Sequence, residues 1–239
     1  MIDRDEVRYD QVSFDLDGVL LDSEDYSPEG WIKRAFSQCL RELGHGVTDE
    51  KIELILIGKL QGSLDQVSQK LEVCPETLWK TREKYLLDEK ERALRTQEIE
   101  AYPDIDLLHD LADRYQLTIV SNSPQRIVDV FVEKYDLTTI IECAIGRAST
   151  LRGFQRTKPH PYLLKQMLQR TESQHSLYVG DRDTDREAAA QSQMDFIRLD
   201  RGGEHEGTDH SVADLRQLRD FLFNAERSST QSQFAERTR

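Results

Sequence analysis

No stretch of this sequence approaches the roughly 20 consecutive apolar residues that a membrane-spanning helix requires, which excludes a helical membrane protein. The opening MIDRDEVRYD is acidic and polar, so it does not read as a secretory signal. Cysteine is scarce. Cys39, Cys74 and Cys143 are an odd, scattered set without metal-ligand spacing, which predicts reduced thiols in a cytoplasmic protein and no disulfides. Positive charge is also short: 32 Lys and Arg face 45 Asp and Glu, a formal net charge of −13. The mean field of such a chain repels phosphates, so nucleic acid and anionic membranes are not its expected partners. A small anionic substrate would need a local basic site or a metal. Arginine outnumbers lysine, and Gln and Ser are common, as expected of a protein adapted to high salt. Ordinary acidic drift is the alternative. The 239 residues suffice for one core, or a core with a small accessory domain.

Periodicity divides the chain in two. A short strand pattern covers Val12–Asp15, and Gly18 ends it. Ser27-Pro28 has the pattern of an N-cap followed by proline at the first helical position. Trp31, Ala35, Phe36, Cys39, Leu40 and Leu43 then recur at helical spacing, and Gly44 and Gly46 stop them. Further helices are expected at about 48–57, 63–72 and 75–95, with no convincing strand from Ser23 to Ala101. That block predicts a small helical bundle. After Tyr102-Pro103 helices and strands alternate: helices at about 104–115, 125–135, 159–170 and 184–193, and strands at Leu117–Val120, about 140–145, Leu177–Val179 and Asp195–Leu199. This rhythm predicts right-handed βαβ units. The expected fold is α/β: a Rossmann-like parallel sheet formed by residues 1–23 and 102–225, an all-helical insertion over 24–101, and a polar tail over 226–239. A last helix is expected at about 212–224.

Four short motifs fall just past expected strand ends, where open parallel sheets bind ligands. In Phe14-Asp15-Leu16-Asp17-Gly18, two carboxylates two residues apart project into one site. One can attack phosphorus while the other moves a proton, and their proximity calls for a divalent cation. A plain Asp-Gly turn fits that motif equally well. In Ser121-Asn122-Ser123, a hydroxyl and backbone N–H groups suit a phosphate, although alone these residues read better as caps of the next helix. Lys158, before Pro159, can neutralise a carboxylate and a phosphoryl group together; the alternative is a solvated lysine. His160 reads as the surface of a helix start. In Gly180-Asp181-Arg182-Asp183-Thr184-Asp185, three carboxylates offer hard oxygen ligands for Mg²⁺, with Asp183 or Thr184 read as a helix cap.

Order and spacing of DLDGVLLDS, IVSNS, TKPHP and VGDRDTD resemble the four signature motifs of the haloacid dehalogenase superfamily, over residues 10–24 and 102–224. The helical insertion after the first motif resembles that superfamily's C1-type cap, and the whole pattern is similar to phosphoglycolate-phosphatase-like members. The resemblance implies a Mg²⁺-dependent phosphomonoester hydrolase, monomeric or homodimeric, acting on a small phosphate ester through an aspartyl-phosphate. It implies Asp15 as nucleophile and Asp17 as the acid that protonates the leaving group and then activates water. It implies Ser121 and the Asn122 amide on the phosphoryl oxygens, beside Gly18, and Lys158 bridging Asp15 and phosphate. Mg²⁺ would be held by Asp15, the Asp17 backbone carbonyl and Asp181, with Asp185 as a further ligand or support.

Some positions depart from the family pattern. Arg182 and Gln191-Ser192-Gln193 replace smaller residues, and the stretch with Arg147, Arg152 and Arg156 is unusually basic. These bear on substrate more than on chemistry. Asp17 separates the chain from dehalogenases, which lack an acid there. Lys59, in a Gly-flanked turn of the insertion, suits a second anionic group of the substrate, a solvated turn lysine being the equal alternative. It is also the one candidate for the cap lysine of a phosphonoacetaldehyde hydrolase, at a spacing that fits poorly. A sugar-phosphate mutase and a non-catalytic binding protein are the remaining alternatives.

Overall fold

The computed structural model describes residues 9–23, 30–56, 64–202 and 211–224. Lys59, Ser27-Pro28 and the tail over 226–239 lie outside the described residues.

Four consecutive buried residues, Gln11–Phe14, form β1. A strand buried on both faces belongs at the centre of a sheet, and β1 sits there. It pairs in parallel with β4 (Gln116–Pro124) on one side and β6 (Ser176–Gly180) on the other. β5 (Ile141–Arg147) extends the sheet beyond β4, while β7 (Asp195–Leu199) and β8 (Ser211–Val212) extend it beyond β6. The chain therefore winds outward on one side of β1 and then crosses to the other. The resulting switch point lies at the carboxyl end of β1, where such sheets bind ligands. The register aligns Phe14 with Ile119 and with Val179, so the residues that follow all three strands reach the same edge. β5 runs two residues past its expected end and carries Arg147 to that edge.

The expected insertion is present and helical: Trp31–Glu42, Asp49–Leu54, Leu64–Lys70 and Pro75–Arg95. Gly30 is the N-cap of the first of these helices. Its apolar face buries Trp31, Ile32, Ala35, Phe36, Cys39 and Leu40, largely against Pro75–Arg95. One feature was absent from the sequence reading. Leu21–Asp22 (β2) and Glu100–Ala101 (β3) pair antiparallel where the chain leaves the sheet and returns to it. Two residues per strand carry no periodic signal, yet the pairing clamps both crossings of the insertion together. No described helix is long and apolar enough to cross a membrane.

Candidate active site

The residue after β1 is Asp15, only 6% exposed. Its backbone N–H donates to the Val179 carbonyl at 2.8 Å, which continues the β1–β6 ladder and fixes the residue. Its Oδ1 accepts from the Leu16 N–H at 2.8 Å and meets Lys158 Nζ at 2.9 Å. Lys158 is buried and also meets Asp185 Oδ1 at 2.6 Å and the Tyr178 hydroxyl at 2.6 Å. Its backbone is pinned by the Asn122 side chain, which accepts from the Lys158 N–H at 2.8 Å and donates to the Lys158 carbonyl at 3.1 Å. The Asn122 side chain thus positions Lys158, and only the Asn122 backbone N–H is left for a phosphate. Neither Ser121 nor Asn122 caps the next helix, which starts at Gln125 behind Pro124. Pro124 occupies the N-cap position and has no side-chain acceptor to offer. Ser121 is instead buried at the strand end, its Oγ accepting from the Ser123 N–H at 3.0 Å.

Asp15, Asp181 and Asp185 form one acidic group, with an oxygen from each within 4.8 Å of the others. Glycine makes this approach possible. A Cβ on Gly18 would stand 2.4 Å from Asp181 Oδ2, and one on Gly180 would stand 2.5 Å from the Asp185 Cβ. Gly18 also adopts φ of +80°, a left-handed conformation that favours glycine. Burial, partly opposed by Lys158 and reinforced by Asp185 and Asp17, pushes the Asp15 carboxyl up to about 6. Burial, with repulsion from Asp15 and Asp185, pushes Asp181 up to about 7. Asp181 Oδ1 is buried without a hydrogen-bond partner. Clustered carboxylates with an orphaned oxygen fit a hard divalent cation such as Mg²⁺. Asp185 has a second task. Its Oδ2 accepts from the Arg182 N–H at 3.0 Å, so it caps the helix Asp183–Gln191 in place of Asp183 or Thr184. Asp183 is exposed and pairs with Arg198 at 2.6 Å. His160 is exposed, its Nδ1 accepting from the Tyr162 N–H ahead of the helix Tyr162–Thr171.

The Asp17 carboxylate stands apart from this group. Its Oδ1 accepts from Ser23 Oγ at 2.6 Å and Lys90 Nζ at 2.5 Å, and its Oδ2 from Ser123 Oγ at 2.5 Å. Burial would raise its pKa, but the Lys90 charge and these three hydrogen bonds outweigh it and hold the carboxyl at about 2. Lys90 was not singled out in the sequence. It lies on Pro75–Arg95 with Trp79, Glu83 and Leu86, at i, i+4, i+7 and i+11, all on one helix face. From that helix Leu86 and Lys90 roof a cavity of about 360 Å³ whose floor includes Asp15, Asp17, Ser121 and Lys158. Trp31, Phe36 and Leu86 make much of the roof apolar.

Residues 12–199 match the model of the family described as haloacid dehalogenase-like hydrolase. A phosphoglycolate phosphatase of Aliivibrio fischeri is 28% identical over 206 residues, covering 81% of this chain and 85% of that protein. Among solved structures, CbbY from Rhodobacter sphaeroides in complex with phosphate matches with a TM-score of 0.63 at 15% identity, over 88% of this chain and 96% of that one. A HAD-superfamily hydrolase, subfamily IA, variant 1, from Geobacter sulfurreducens matches with a TM-score of 0.59 at 16% identity, over 90% and 96% of the two chains. At these identities the solved structures bear on the fold, and the fold is the one the sequence predicts.

Proposed function

We propose that this chain, which belongs to the haloacid dehalogenase-like hydrolase family, hydrolyses a small phosphomonoester of the phosphoglycolate kind through an aspartyl-phosphate, with Mg²⁺ as cofactor. The observation that carries this reading is the buried Asp15–Lys158 pair, 2.9 Å apart, facing a cavity beside Asp17. The 28% identity to a phosphoglycolate phosphatase supports the substrate class.

Asp15 is the nucleophile. Both of its side-chain contacts among the described residues fall on Oδ1, which leaves Oδ2 for phosphorus. Attack forms the Asp15–phosphorus bond and breaks the bond to the ester oxygen, which takes a proton from Asp17. Asp17 then removes a proton from water, and the resulting hydroxide displaces Asp15 as inorganic phosphate forms. Lys158, Ser121 and the Asn122 N–H hold the phosphoryl oxygens. Asp15, the Asp17 carbonyl and Asp181 would hold Mg²⁺, supported by Asp185; when bound, it supplies neutralising charge to the transferring group. We read residues 24–101 as a cap that excludes water and opens for release. Phosphate release from a panel of small phosphomonoesters, at low and high salt, should require Mg²⁺ and vanish in EDTA. Release undiminished by EDTA would overturn the metal dependence, and no release from folded protein would overturn the hydrolase reading.

With both Asp17 oxygens occupied, Lys90 and Ser123 must give way before Asp17 reaches a leaving group. The Lys90 ammonium also stabilises the carboxylate form. Lys90→Met should therefore raise the Asp17 pKa by about 1–3 units, read from the pH titration of the Asp17 carboxyl carbon by NMR. The sign follows from the depressed value. An Asp held at about 2 stays ionised down to low pH, and it protonates earlier once its cation is gone. A lower kcat with an unmoved Asp17 titration would show that Lys90 acts through packing alone.

A further inference from the structure

The inserted helix buries a second cationic centre in the same cavity. Arg82 is 1% exposed. Its Nε donates to the Ile55 carbonyl at 2.6 Å, and its guanidinium lies over Phe36 at 4.9 Å and Trp79 at 5.4 Å. Its Nη1 has no hydrogen-bond partner among the described residues. The nearby carboxylate, Glu83, is 3.7 Å away at Oε2. Both Glu83 oxygens are already taken by Arg147, equally buried, in a bidentate pair at 2.5 and 2.8 Å. Among the described residues, two guanidinium charges against one carboxylate leave one positive charge uncompensated beside aromatic rings. Burial, with repulsion from Arg147, lowers Arg82 to about 10, so it remains a cation at neutral pH.

An unpaired buried cation opposes folding. Arg82 and Arg147 both line the cavity above Asp15. We propose that Arg82, braced by the Arg147–Glu83 pair, binds a second anionic group of the substrate, a carboxylate or phosphate on the molecule that carries the scissile phosphoryl group. The inference rests on reading the cavity as a phosphoester site. It makes Arg82 a determinant of specificity: two-anion esters of small size are selected, and neutral alkyl esters leave its charge unanswered. Lys59, the residue that the sequence offers for such a group with a solvated turn lysine as the equal alternative, lies outside the described residues.

The test is calorimetric titration in Mg²⁺ buffer with three non-hydrolysable probes: methylphosphonate, phosphonoacetate and ethylenebisphosphonate. The last two add a carboxylate or a second phosphonate, and whichever binds more tightly identifies the second group. A charge-assisted contact predicts that the better of them binds the wild type about 30-fold more tightly than methylphosphonate. Arg82→Gln should remove that preference, and Arg82→Lys should keep part of it. Thermal midpoints check that each variant is folded. No preference in the wild type, or equal loss for all three probes in Arg82→Gln, overturns the proposal. Preference without hydrolysis of any ester would leave the anion site standing and sink the hydrolase reading. Hydrolysis without preference would do the reverse.

Discussion

Asp15→Asn should abolish phosphate release, lowering kcat by at least about 10⁴-fold, since removal of a nucleophile leaves only binding and electrostatic contributions. The amide is nearly the same size, so the loss would not come from packing. A stability measurement separates this role from a structural one. Asp15 titrates near 6 in the fold against an ordinary value of 3.8, because burial and the neighbouring carboxylates outweigh Lys158. The folded state therefore holds the Asp15 proton more tightly than the unfolded state, and Asp15 costs stability as pH rises from about 4 through 6. In EDTA, Asp15→Asn should match the wild type near pH 4 and melt at a higher temperature at pH 8. With Mg²⁺ the order should reverse, because the wild type gains more from binding the ion. A variant that is inactive and also less stable than the wild type at pH 8 in EDTA would mean that Asp15 is structural.

The same residues show what a sequence can reveal and where it stops. Asp15, Ser121 and Asp181 each lie within a few residues of a strand end, so local pattern placed them, and the parallel register of β1 with β4 and β6 did the rest; Lys158 follows β5 only after the short helix Leu151–Phe154. Roles that depend on distant partners were less legible. Asn122 looked like a phosphate ligand or a cap, yet its side chain spans 36 residues to hold the Lys158 backbone. Asp183 looked like the cap of its helix, but Asp185 caps it while also facing Lys158.

The insertion was the harder half. Arg82, Glu83 and Lys90 sit in a helix dense with charge, and such residues are normally solvated. Here all three are buried, because that helix lies across the carboxyl edge of the sheet and Trp79 anchors it by stacking on Phe154, ring centroids 4.4 Å apart. A signal was available in the shared face of Trp79, Glu83, Leu86 and Lys90, since an apolar stripe interrupted by charges marks a buried polar site. Without the position of the sheet, that stripe had no stated partner. The β2–β3 stem escaped for a simpler reason: two-residue strands lie below the length at which alternation is visible.

Lys158→Met should cost both stability and activity, and Mg²⁺ should restore only the first. Lys158 is the buried cation that meets both Asp15, at 2.9 Å, and Asp185, at 2.6 Å. Its removal leaves three clustered carboxylates without that charge, and breaking a buried pair of this kind costs about 3–5 kcal/mol. The pH dependence has a definite sign. Without the ammonium, Asp15 and Asp181 should titrate higher still, so the deficit in EDTA should be small at pH 5 and largest at pH 8, where the unfolded chain releases protons that the fold retains. A divalent cation can answer the same carboxylates, so millimolar Mg²⁺ should raise the variant's melting temperature more than the wild type's. Activity should stay down by about 10²–10³-fold, because Mg²⁺ cannot also take the place of the ammonium on the phosphoryl oxygens. In the double variant with Asp15→Asn, the deficit caused by Lys158→Met in EDTA at pH 8 should shrink, since one anion of the broken pair is then gone. Lys158→Arg should not rescue turnover, because the wider guanidinium does not fit the point between Asp15, Asp185 and the Tyr178 hydroxyl. A Lys158→Met enzyme with more than a tenth of wild-type activity would place the charge that steadies the phosphoryl group elsewhere in the cavity.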